Sequence, residues 1–323
     1  MLTISIDLGG TYVKTGILHH GSILEHGRIK VKNNLDFDGL LPDITKEVNR
    51  LIEASGKSST LLDGIAIAFP GLVDSDKMKV TMTHKYPTAV DFDFIAWAQD
   101  NWNANVALIN DARMAGIGEW QAGAGEGARH MAMITLGTGI GSFAVVDGRR
   151  LRGNGYRAGN LFGHISLDIN GEVCQCGNLG CAESLASSWS LPELVKKDDD
   201  LKPLVAEDDS IINFKWLFDL YRQKQPGAIR VAEYCMKVWG MLSINMIHTF
   251  DPQVLVLGGG ILNSADVIVP FIKKLVVQYS WLNADEIEIE HAFLGEDASI
   301  VGGYYLLKEV LTNKKCLASG KLR

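Results

Sequence analysis

Three of the chain's five cysteines lie within eight residues, in the stretch CQCGNLGC that begins at Cys174. Thiols this close together form disulfides or bind a metal, and a reducing compartment favours the metal. The odd number of cysteines points the same way, and the first residues, MLTISIDLGG, have neither the basic segment nor the long apolar run of a signal peptide. We therefore expect a cytoplasmic protein in which Cys174, Cys176 and Cys181 are metal ligands.

A second chemistry is indicated by a glycine turn that follows a buried strand. In DLGGT, at residues 7–11, Gly9 and Gly10 allow backbone N–H groups to approach an anion, and Thr11 adds a hydroxyl donor. Asp7 stands at the end of its strand, where its carboxylate could hold Mg²⁺ directly or through water. Taken alone, such a turn is more often only a tight hairpin.

Two further glycine turns extend this pattern. GTG at residues 137–139 repeats the first turn after another strand, and GGG at residues 258–260 follows an apolar strand and offers a flat surface for adenine. Three turns in this order, beside matching strands, favour a site for the β- and γ-phosphates of a nucleotide. The candidate nucleotide- and phosphate-binding residues are Asp7, Gly9, Gly10, Thr11, Lys14, Gly137, Thr138, Gly139, Gly258, Gly259 and Gly260.

Asp111 is the candidate for acid or base chemistry. It follows the buried strand NVALIN, and the carboxyl ends of strands in α/β sheets face the crevice where ligands bind. The residue would serve equally well as the N-cap of the helix that begins with DARMAGIGEW. Its position in the sequence alone leaves both roles open.

The elements that position these residues predict a duplicated α/β fold. Residues 4–7 and 11–18 read as strands joined by the first glycine turn, and a third strand is expected at 23–31, which makes a β-meander. The strand MAMITL, the turn at 137–139 and the strand FAVVDGR repeat the same hairpin 127 residues later. A duplicated domain with a cleft between the copies accounts for this spacing.

Helical periodicity predicts the main helices of the two domains. Residues 40–54 and 227–249 have one apolar face each, which places Cys235 in the core, and the last helix follows LGEDASIVGG. We expect an N-terminal α/β domain of residues 1–113 plus 303–323, with the first phosphate turn and Asp111. Residues 114–302 would form the C-terminal α/β domain, with the adenosine site and with the cysteine stretch at 174–181, which we call the knuckle.

Composition limits the class of partner. A length of 323 residues predicts about two domains, and a net charge of −7 without a basic run argues against nucleic acid and against an anionic membrane surface. No segment has the 18 or more uncharged apolar residues of a membrane span. The expected partners are therefore small molecules or other proteins.

The motifs in this order resemble those of the ROK family of sugar kinases and repressors, within the actin-like ATPase superfamily. DLGGT, ND, GTGIG, a Gly-His pair, the cysteine stretch and the late GGG cover the chain from about residue 4 to 310. The resemblance implies two actin-like (ribonuclease H-like) α/β domains with mixed sheets around an interdomain cleft. It also implies ATP and Mg²⁺ as cofactors and a homodimer or higher homo-oligomer.

The same resemblance identifies the fourth metal ligand, because His164 followed by nine residues and CQCGNLGCAE matches the family's zinc signature. Three thiolates and one imidazole form a closed tetrahedral set, which suits structural Zn²⁺ and leaves no position for a catalytic water, so a zinc hydrolase is excluded. His164 held on zinc through one nitrogen keeps its other N–H for a sugar hydroxyl. The family also assigns a sugar contact to the position of Glu183.

The function implied is phosphorylation of a hexose or N-acetylhexosamine at its 6-hydroxyl, with glucose and N-acetylmannosamine as examples. Asp111 matches the family's catalytic aspartate and would be the general base, and Asn110 would orient a substrate hydroxyl. The alternative is a non-catalytic sugar sensor like the family's repressors. Those carry a DNA-binding segment before the phosphate turn, whereas here Asp7 is almost the first residue, which favours the kinase branch.

One position departs from the family pattern. Its sugar kinases usually read Glu-x-Gly-His where this chain reads Leu161, Phe162, Gly163 and His164. Leucine accepts no hydrogen bond, and an unpaired hydroxyl in a closed site costs about 1–3 kcal/mol. Either Asn160 supplies the missing hydrogen bond or the sugar carries a different group there. The phosphoryl donor is also open, since some members of the family use polyphosphate instead of ATP. The candidate sugar-binding residues are Asn110, Gly71, His164, Glu183 and Asn160.

Overall fold

The computed structural model describes residues 1–31, 36–282 and 286–318. The strands of this part of the chain are β1 (Leu2–Leu8), β2 (Tyr12–His19), β3 (Ser22–Lys30), β4 (Leu62–Phe69), β5 (Leu72–Asp74), β6 (Lys79–Met82), β7 (Asn105–Asn110), β8 (Met131–Leu136), β9 (Ile140–Val146), β10 (Arg149–Arg150), β11 (Val254–Gly258) and β12 (Glu288–His291). The helices are α1 (Phe37–Ala54), α2 (Phe94–Trp102), α3 (Asp111–Ala122), α4 (Ala182–Ala186), α5 (Leu191–Lys197), α6 (Phe214–Arg222), α7 (Pro226–Phe250), α8 (Ala265–Tyr279) and α9 (Ala298–Ala318).

The chain divides into two compact units. Unit 1 consists of Met1–Glu126, Arg152–Arg157 and Phe293–Arg323, and unit 2 of Gly127–Leu151 and Ala158–Ala292. Both are mixed α/β structures, as the sequence predicts. Within the described residues, no helix is long and apolar enough to cross a lipid bilayer.

Unit 1 is built on a five-stranded sheet of order β3-β2-β1-β4-β7. The first three strands form the antiparallel meander that the sequence predicts, and β4 and β7 run parallel to β1. Because β1, β4 and β7 are parallel, their carboxyl ends gather at one edge of the sheet.

Helices cover the faces of this sheet and close the core of unit 1. One apolar stripe of α1, from Leu40 to Ile52, is buried, as its periodicity predicts. α3 and α9 cross at glycines: a Cβ on Gly118 would lie 2.0 Å from the Ala298 carbonyl oxygen, and one on Gly302 would lie 1.9 Å from that of Met114. The two backbones therefore touch, which only glycine permits.

Unit 2 repeats the topology of unit 1. Its sheet has the order β10-β9-β8-β11-β12, with β9 antiparallel to β8 and β11 parallel to it. The duplication predicted from the two hairpins is thereby confirmed. The long helix α7 lies in the core of this unit, and Cys235 is fully buried there, as expected.

The unit boundaries differ from those expected at 113/114 and 302/303. They fall at 126/127 and at 292/293, so the whole of α3 and the segment before α9 belong to unit 1. The reason is the buried carboxylate of Glu119 on α3, which accepts the backbone N–H groups of Phe293 and Leu294 at 3.0 and 2.8 Å. This contact and the α3–α9 crossing keep the segments together.

Candidate functional site

Two acidic residues meet at the carboxyl edge of the unit 1 sheet. Asp7 lies near the end of β1, and Asp111 follows the last residue of β7. β4 lies between β1 and β7, and in the register of the sheet Asp7 pairs with Ala68 while Asn110 pairs with the next residue, Phe69. Asp7 and Asp111 therefore lie at nearly the same height along the strands. The structure thus brings together the two carboxylates that the sequence singled out for different roles.

Both carboxyl groups have raised pKa values. Burial raises the pKa of Asp7, against the opposing effects of a hydrogen bond with Ser299 and the charge of Lys14. Burial together with the negative charge of Asp7 raises the pKa of Asp111 to about 7, although Ala112 N–H and Asn110 stabilise its ionised form. A carboxyl group with a pKa near 7 is suited to general base catalysis at neutral pH.

Asn110, rather than Asp111, is the N-cap of α3. Its side-chain oxygen accepts the Arg113 N–H at 3.2 Å, and its amide nitrogen donates to Gly71 O at 3.1 Å and to Asp111 Oδ1 at 2.8 Å. The capping role considered for Asp111 is therefore filled by its neighbour. In this arrangement Asn110 positions both the Asp111 carboxylate and the backbone of Gly71.

The first glycine turn is held by a segment that the sequence motifs did not reveal. The buried Tyr86 hydroxyl donates to Gly9 O at 3.0 Å, and a Cβ on Gly10 would lie 2.9 Å from Lys85 Nζ. Lys85 and Tyr86 belong to THKYP, which matches no phosphate-binding motif. The chain after β6 packs closely on the residue before β5, since a Cβ on Gly71 would lie 3.1 Å from Thr83 Cα. This contact places the following residues, Lys85 and Tyr86, beside the turn.

Lys14 is paired with acidic groups of its own unit. It stands opposite Asp7 in the β1–β2 register, and its ammonium lies 3.4 Å from Glu296 Oε2. Arg28 reaches the same carboxylate oxygen at 3.6 Å. Together with His26 they line a cavity of about 320 Å³ in unit 1. Much of the charge of Lys14 is therefore compensated within the protein.

In unit 2, the second glycine turn is bound to the chain after α4. Gly137 O accepts the Ser188 N–H at 3.1 Å, and Thr138 O accepts the Trp189 N–H at 3.3 Å. Gly259 has a positive φ of 91°, and a Cβ there would lie 2.3 Å from Leu136 O. This close approach places the triglycine beside the second turn, so the two predicted nucleotide segments of unit 2 are neighbours.

Glu183 connects this turn to the cysteine knuckle. Its Oε2 accepts the Ile140 N–H at 2.8 Å, just after Gly139, and its Oε1 accepts the Trp189 indole N–H at 3.3 Å. The same Oε2 lies 4.0 Å from His164 Nε2. Of the three residues predicted to bind sugar in this unit, His164 and Glu183 therefore lie side by side.

The knuckle brings the four predicted metal ligands together. One donor atom from each of His164, Cys174, Cys176 and Cys181 lies within 4.8 Å of all the others. Burial raises the pKa of Cys174, and burial with the neighbouring thiols raises that of Cys181 to about 12. A dication among these donors would reverse that effect and favour the thiolates. Three thiols and an imidazole fit Zn²⁺.

The ring of His164 has one nitrogen toward the thiols and one toward Glu183. Its Nδ1 lies 3.8 Å from Cys174 Sγ, and Nε2 faces the glutamate. Nearby, Asn160 is buried, whereas the Leu161 side chain is 38% exposed. The backbone around them is fixed by Ser142 Oγ, which donates to Gly159 O at 3.0 Å and accepts the Phe162 N–H at 3.2 Å. Three residues before His164 in the sequence, Leu161 thus presents an apolar surface to solvent.

The chain is similar to known proteins over most of its length. The sequence model of the ROK family matches residues 3–310. A glucokinase from Halalkalibacterium halodurans is 29% identical over 316 residues, which are 95% of this chain and 94% of that protein. A xylose repressor from Bacillus subtilis is also 29% identical, over 307 residues that make up 93% of this chain and 75% of the repressor.

A solved structure has the same fold. The crystal structure of a ROK family glucokinase from Streptomyces griseus, in complex with glucose and AMPPNP, superposes with a TM-score of 0.77 at 25% identity. The match covers 96% of this chain and all of that one. Glucokinases and a xylose repressor are therefore both among the chain's relatives.

Proposed function

The protein belongs to the ROK family, and from that premise we propose that it is a sugar kinase that transfers the γ-phosphoryl group of ATP to the 6-hydroxyl of a hexose or N-acetylhexosamine. The observation that carries this proposal is the Asp111 carboxyl group at the edge of the unit 1 sheet, with its pKa raised to about 7. A sensor that only binds sugar has no need of a carboxyl group tuned to neutral pH.

Asp111 acts as the general base in the proposed reaction. Asn110 and the Ala112 N–H both donate to Oδ1, which fixes the plane of the carboxylate. We assign Oδ2 to the substrate. The sugar's 6-oxygen attacks the γ-phosphorus as its proton passes to Asp111, the bond to the β-phosphate oxygen breaks, and ADP leaves.

The groups around the first turn suit a nucleotide with Mg²⁺. The Gly9 N–H is taken by Asp7 O at 3.1 Å, so Gly10 is the glycine of this turn that would bring a backbone N–H to a phosphate oxygen. The Asp7 carboxylate is an oxygen donor of the kind that Mg²⁺ prefers. When bound, the ion neutralises charge on the β- and γ-phosphates. In unit 2, the turn at 137–139 and the triglycine at 258–260 would hold the remaining phosphate and the adenosine.

The knuckle supports the sugar site rather than the chemistry. Zn²⁺ on His164, Cys174, Cys176 and Cys181 would be structural, since all four ligands come from the protein. His164 would use Nδ1 for the metal and Nε2 for a sugar hydroxyl beside Glu183. With Gly71 and Asn160, these residues form our proposed sugar-binding set. The exposed Leu161 favours a sugar with an apolar substituent, such as an acetamido methyl group, at that position.

A sugar sensor is the second candidate function, favoured by the similarity to the xylose repressor. Both functions need the sugar-binding residues of unit 2, but only the kinase needs Asp111. A coupled assay of ADP release, with Mg-ATP and a panel of glucose, mannose, glucosamine, N-acetylglucosamine and N-acetylmannosamine, distinguishes them. We expect turnover with at least one sugar, with NMR showing the phosphate on its 6-oxygen.

Two controls sharpen this assay. Polyphosphate in place of ATP identifies the phosphoryl donor, and thermal melts with each sugar report binding without turnover. If some sugars raise the melting temperature but none is phosphorylated with either donor, the kinase proposal fails and the sensor is supported.

A further inference from the structure

Lys85 lies directly against the first phosphate turn. A Cβ on Gly10 would be 2.9 Å from the Lys85 ammonium nitrogen, so the charge lies directly beside that glycine. The position is fixed from both sides: the next residue, Tyr86, is fully buried and hydrogen-bonded to Gly9 O, and the Lys85 N–H donates to Thr83 Oγ1 at 3.3 Å. The backbone that carries Lys85 is therefore tied to the turn itself.

Within the part of the chain that the structure describes, the charge of Lys85 has no acidic partner. Among the side chains that the structure describes, none accepts a hydrogen bond from its ammonium or forms an ion pair with it, and its contact is with the face of the Tyr86 ring, 5.5 Å away. Partial burial lowers its pKa, which shows the cost of holding this charge. Lys14, in contrast, is already paired with Glu296.

The same edge of the sheet is otherwise acidic. The negative charge of Asp7 raises the pKa of Asp111 there, and a phosphate group adds further negative charge. Transfer of a phosphoryl group depends on neutralising charge on its oxygens, and a lysine does this as a point charge. Lys85 is the uncompensated cation beside the turn that could supply it.

We propose that Lys85 binds the phosphoryl group that is transferred, first as the γ-phosphate of the donor and then as the phosphate of the product. This inference rests on the proposed function for the identity of the anion. It adds to the glycine turn a charged ligand that the phosphate motif does not contain.

The test compares nucleotides that differ only in the third phosphate. Isothermal titration calorimetry measures the affinity of the full chain for Mg-AMPPNP, Mg-ADP and the 6-phosphate of the preferred sugar. For Lys85→Met we expect a loss of about 10- to 100-fold for Mg-AMPPNP and for the sugar phosphate, as for a lost hydrogen bond to a charged group. Affinity for Mg-ADP should change by less than about 3-fold.

Two further variants separate charge from structure. Lys79→Met makes the same change on an exposed lysine of β6 and should leave all three affinities unchanged. Lys85→Arg keeps the charge and should recover most of the Mg-AMPPNP affinity. The melting temperature of Lys85→Met should be no lower than that of the wild type, because the partly buried charge is removed.

Several results would overturn the proposal. Equal losses for Mg-ADP and Mg-AMPPNP would mean that Lys85 serves the turn as a whole, and no loss for either would remove it from the site. A loss confined to the sugar phosphate would assign it to the acceptor alone. If the wild type phosphorylates no sugar, the proposed function fails, but the difference between AMPPNP and ADP still decides the role of Lys85. A wild type that does not bind Mg-AMPPNP would contradict both.

Discussion

The hairpins β1–β2 and β8–β9 have the same backbone but different charged neighbours. Each consists of two antiparallel strands joined by a glycine and threonine turn, with a parallel strand beside the first. The offset of 127 residues places the buried Ile134 where the first hairpin has Asp7. The acidic group at the turn is therefore present in unit 1 and missing from unit 2.

The charges near each turn come from segments that the duplication does not repeat. Lys85 and Tyr86, from the loop after β6, contact the first turn, whereas Glu183, from α4, binds the second. The comparison teaches that the repeated hairpin has the same backbone in both units and that inserted segments decide which side chains surround it. Under the proposed function, those of unit 1 would serve proton and phosphoryl transfer, and those of unit 2 would recognise the sugar.

The largest effect should come from the carboxylate of unit 1. Asp111→Asn keeps the size of the side chain and its contact with the Ala112 N–H but removes the base, so kcat should fall by about 10²- to 10⁴-fold. KM values for sugar and ATP should change little, because the hydroxyl and phosphate contacts remain. The coupled assay measures both. Asp100→Asn, on the exposed side of α2, is the matched control. An Asp111→Asn variant with normal kcat would show that Asp111 is not the base.

A metal ligand of unit 2 comes next. Cys181→Ser should abolish the bound zinc, expected at about one ion per chain, and lower the melting temperature, since metal binding stabilises the folded knuckle. Cys235→Ala removes a buried thiol outside the cluster and should keep the zinc. Elemental analysis by mass spectrometry and a thermal melt report both quantities. Zinc retained by Cys181→Ser would contradict the assigned ligand set.

Glu183→Gln tests the proposed role of unit 2 in binding the sugar. The amide cannot accept the Ile140 and Trp189 N–H groups and a sugar hydroxyl as a carboxylate does, so the sugar KM should rise about 10-fold, with a smaller change for ATP. Glu172→Gln, an exposed change of the same kind, serves as the control. A larger effect on ATP than on sugar would assign Glu183 to the phosphate turn instead.

The smallest effect is a pH dependence of stability. A carboxyl group whose pKa is raised by folding contributes stability below its unfolded value of 3.8, and that contribution is lost as the pH rises through about 7. Without nucleotide or magnesium, Asp111→Asn should therefore be more stable than the wild type at pH 8, and the difference should shrink toward pH 4. Chemical denaturation at several pH values measures it, and a difference that grows toward acid pH would refute the raised pKa.

Much of the fold is predictable because strand and helix periods are local properties. The meander at 2–30, the helix that ends at Ala54 and the repeated hairpin follow from apolar patterns and glycine turns. The unit boundaries do not, because they depend on a buried carboxylate: Glu119 on α3 binds the N–H groups of Phe293 and Leu294, more than 170 residues later in the chain. No local pattern marks such a contact.

The site divides in the same way. The cysteine spacing predicted three metal ligands and the resemblance to the ROK family added His164, and the structure brings all four donors together because they lie in a short stretch of chain. Asp7 and Asp111 were each visible at a strand end, but their mutual effect on pKa depends on both being at one sheet edge. Lys85 could not be found, because its approach to Gly10 depends on how the loop after β6 folds back over the turn.

The crossing of α3 and α9 has a consequence for biosynthesis. Unit 1 begins the chain, yet its core includes Ala298 and Gly302, whose backbones fit against those of Met114 and Gly118. As the chain leaves the ribosome, the segments of unit 2 are complete by Ala292, before this crossing can form. The first part of the polypeptide to be translated therefore cannot complete its packing until the residues after Ala292 have been made.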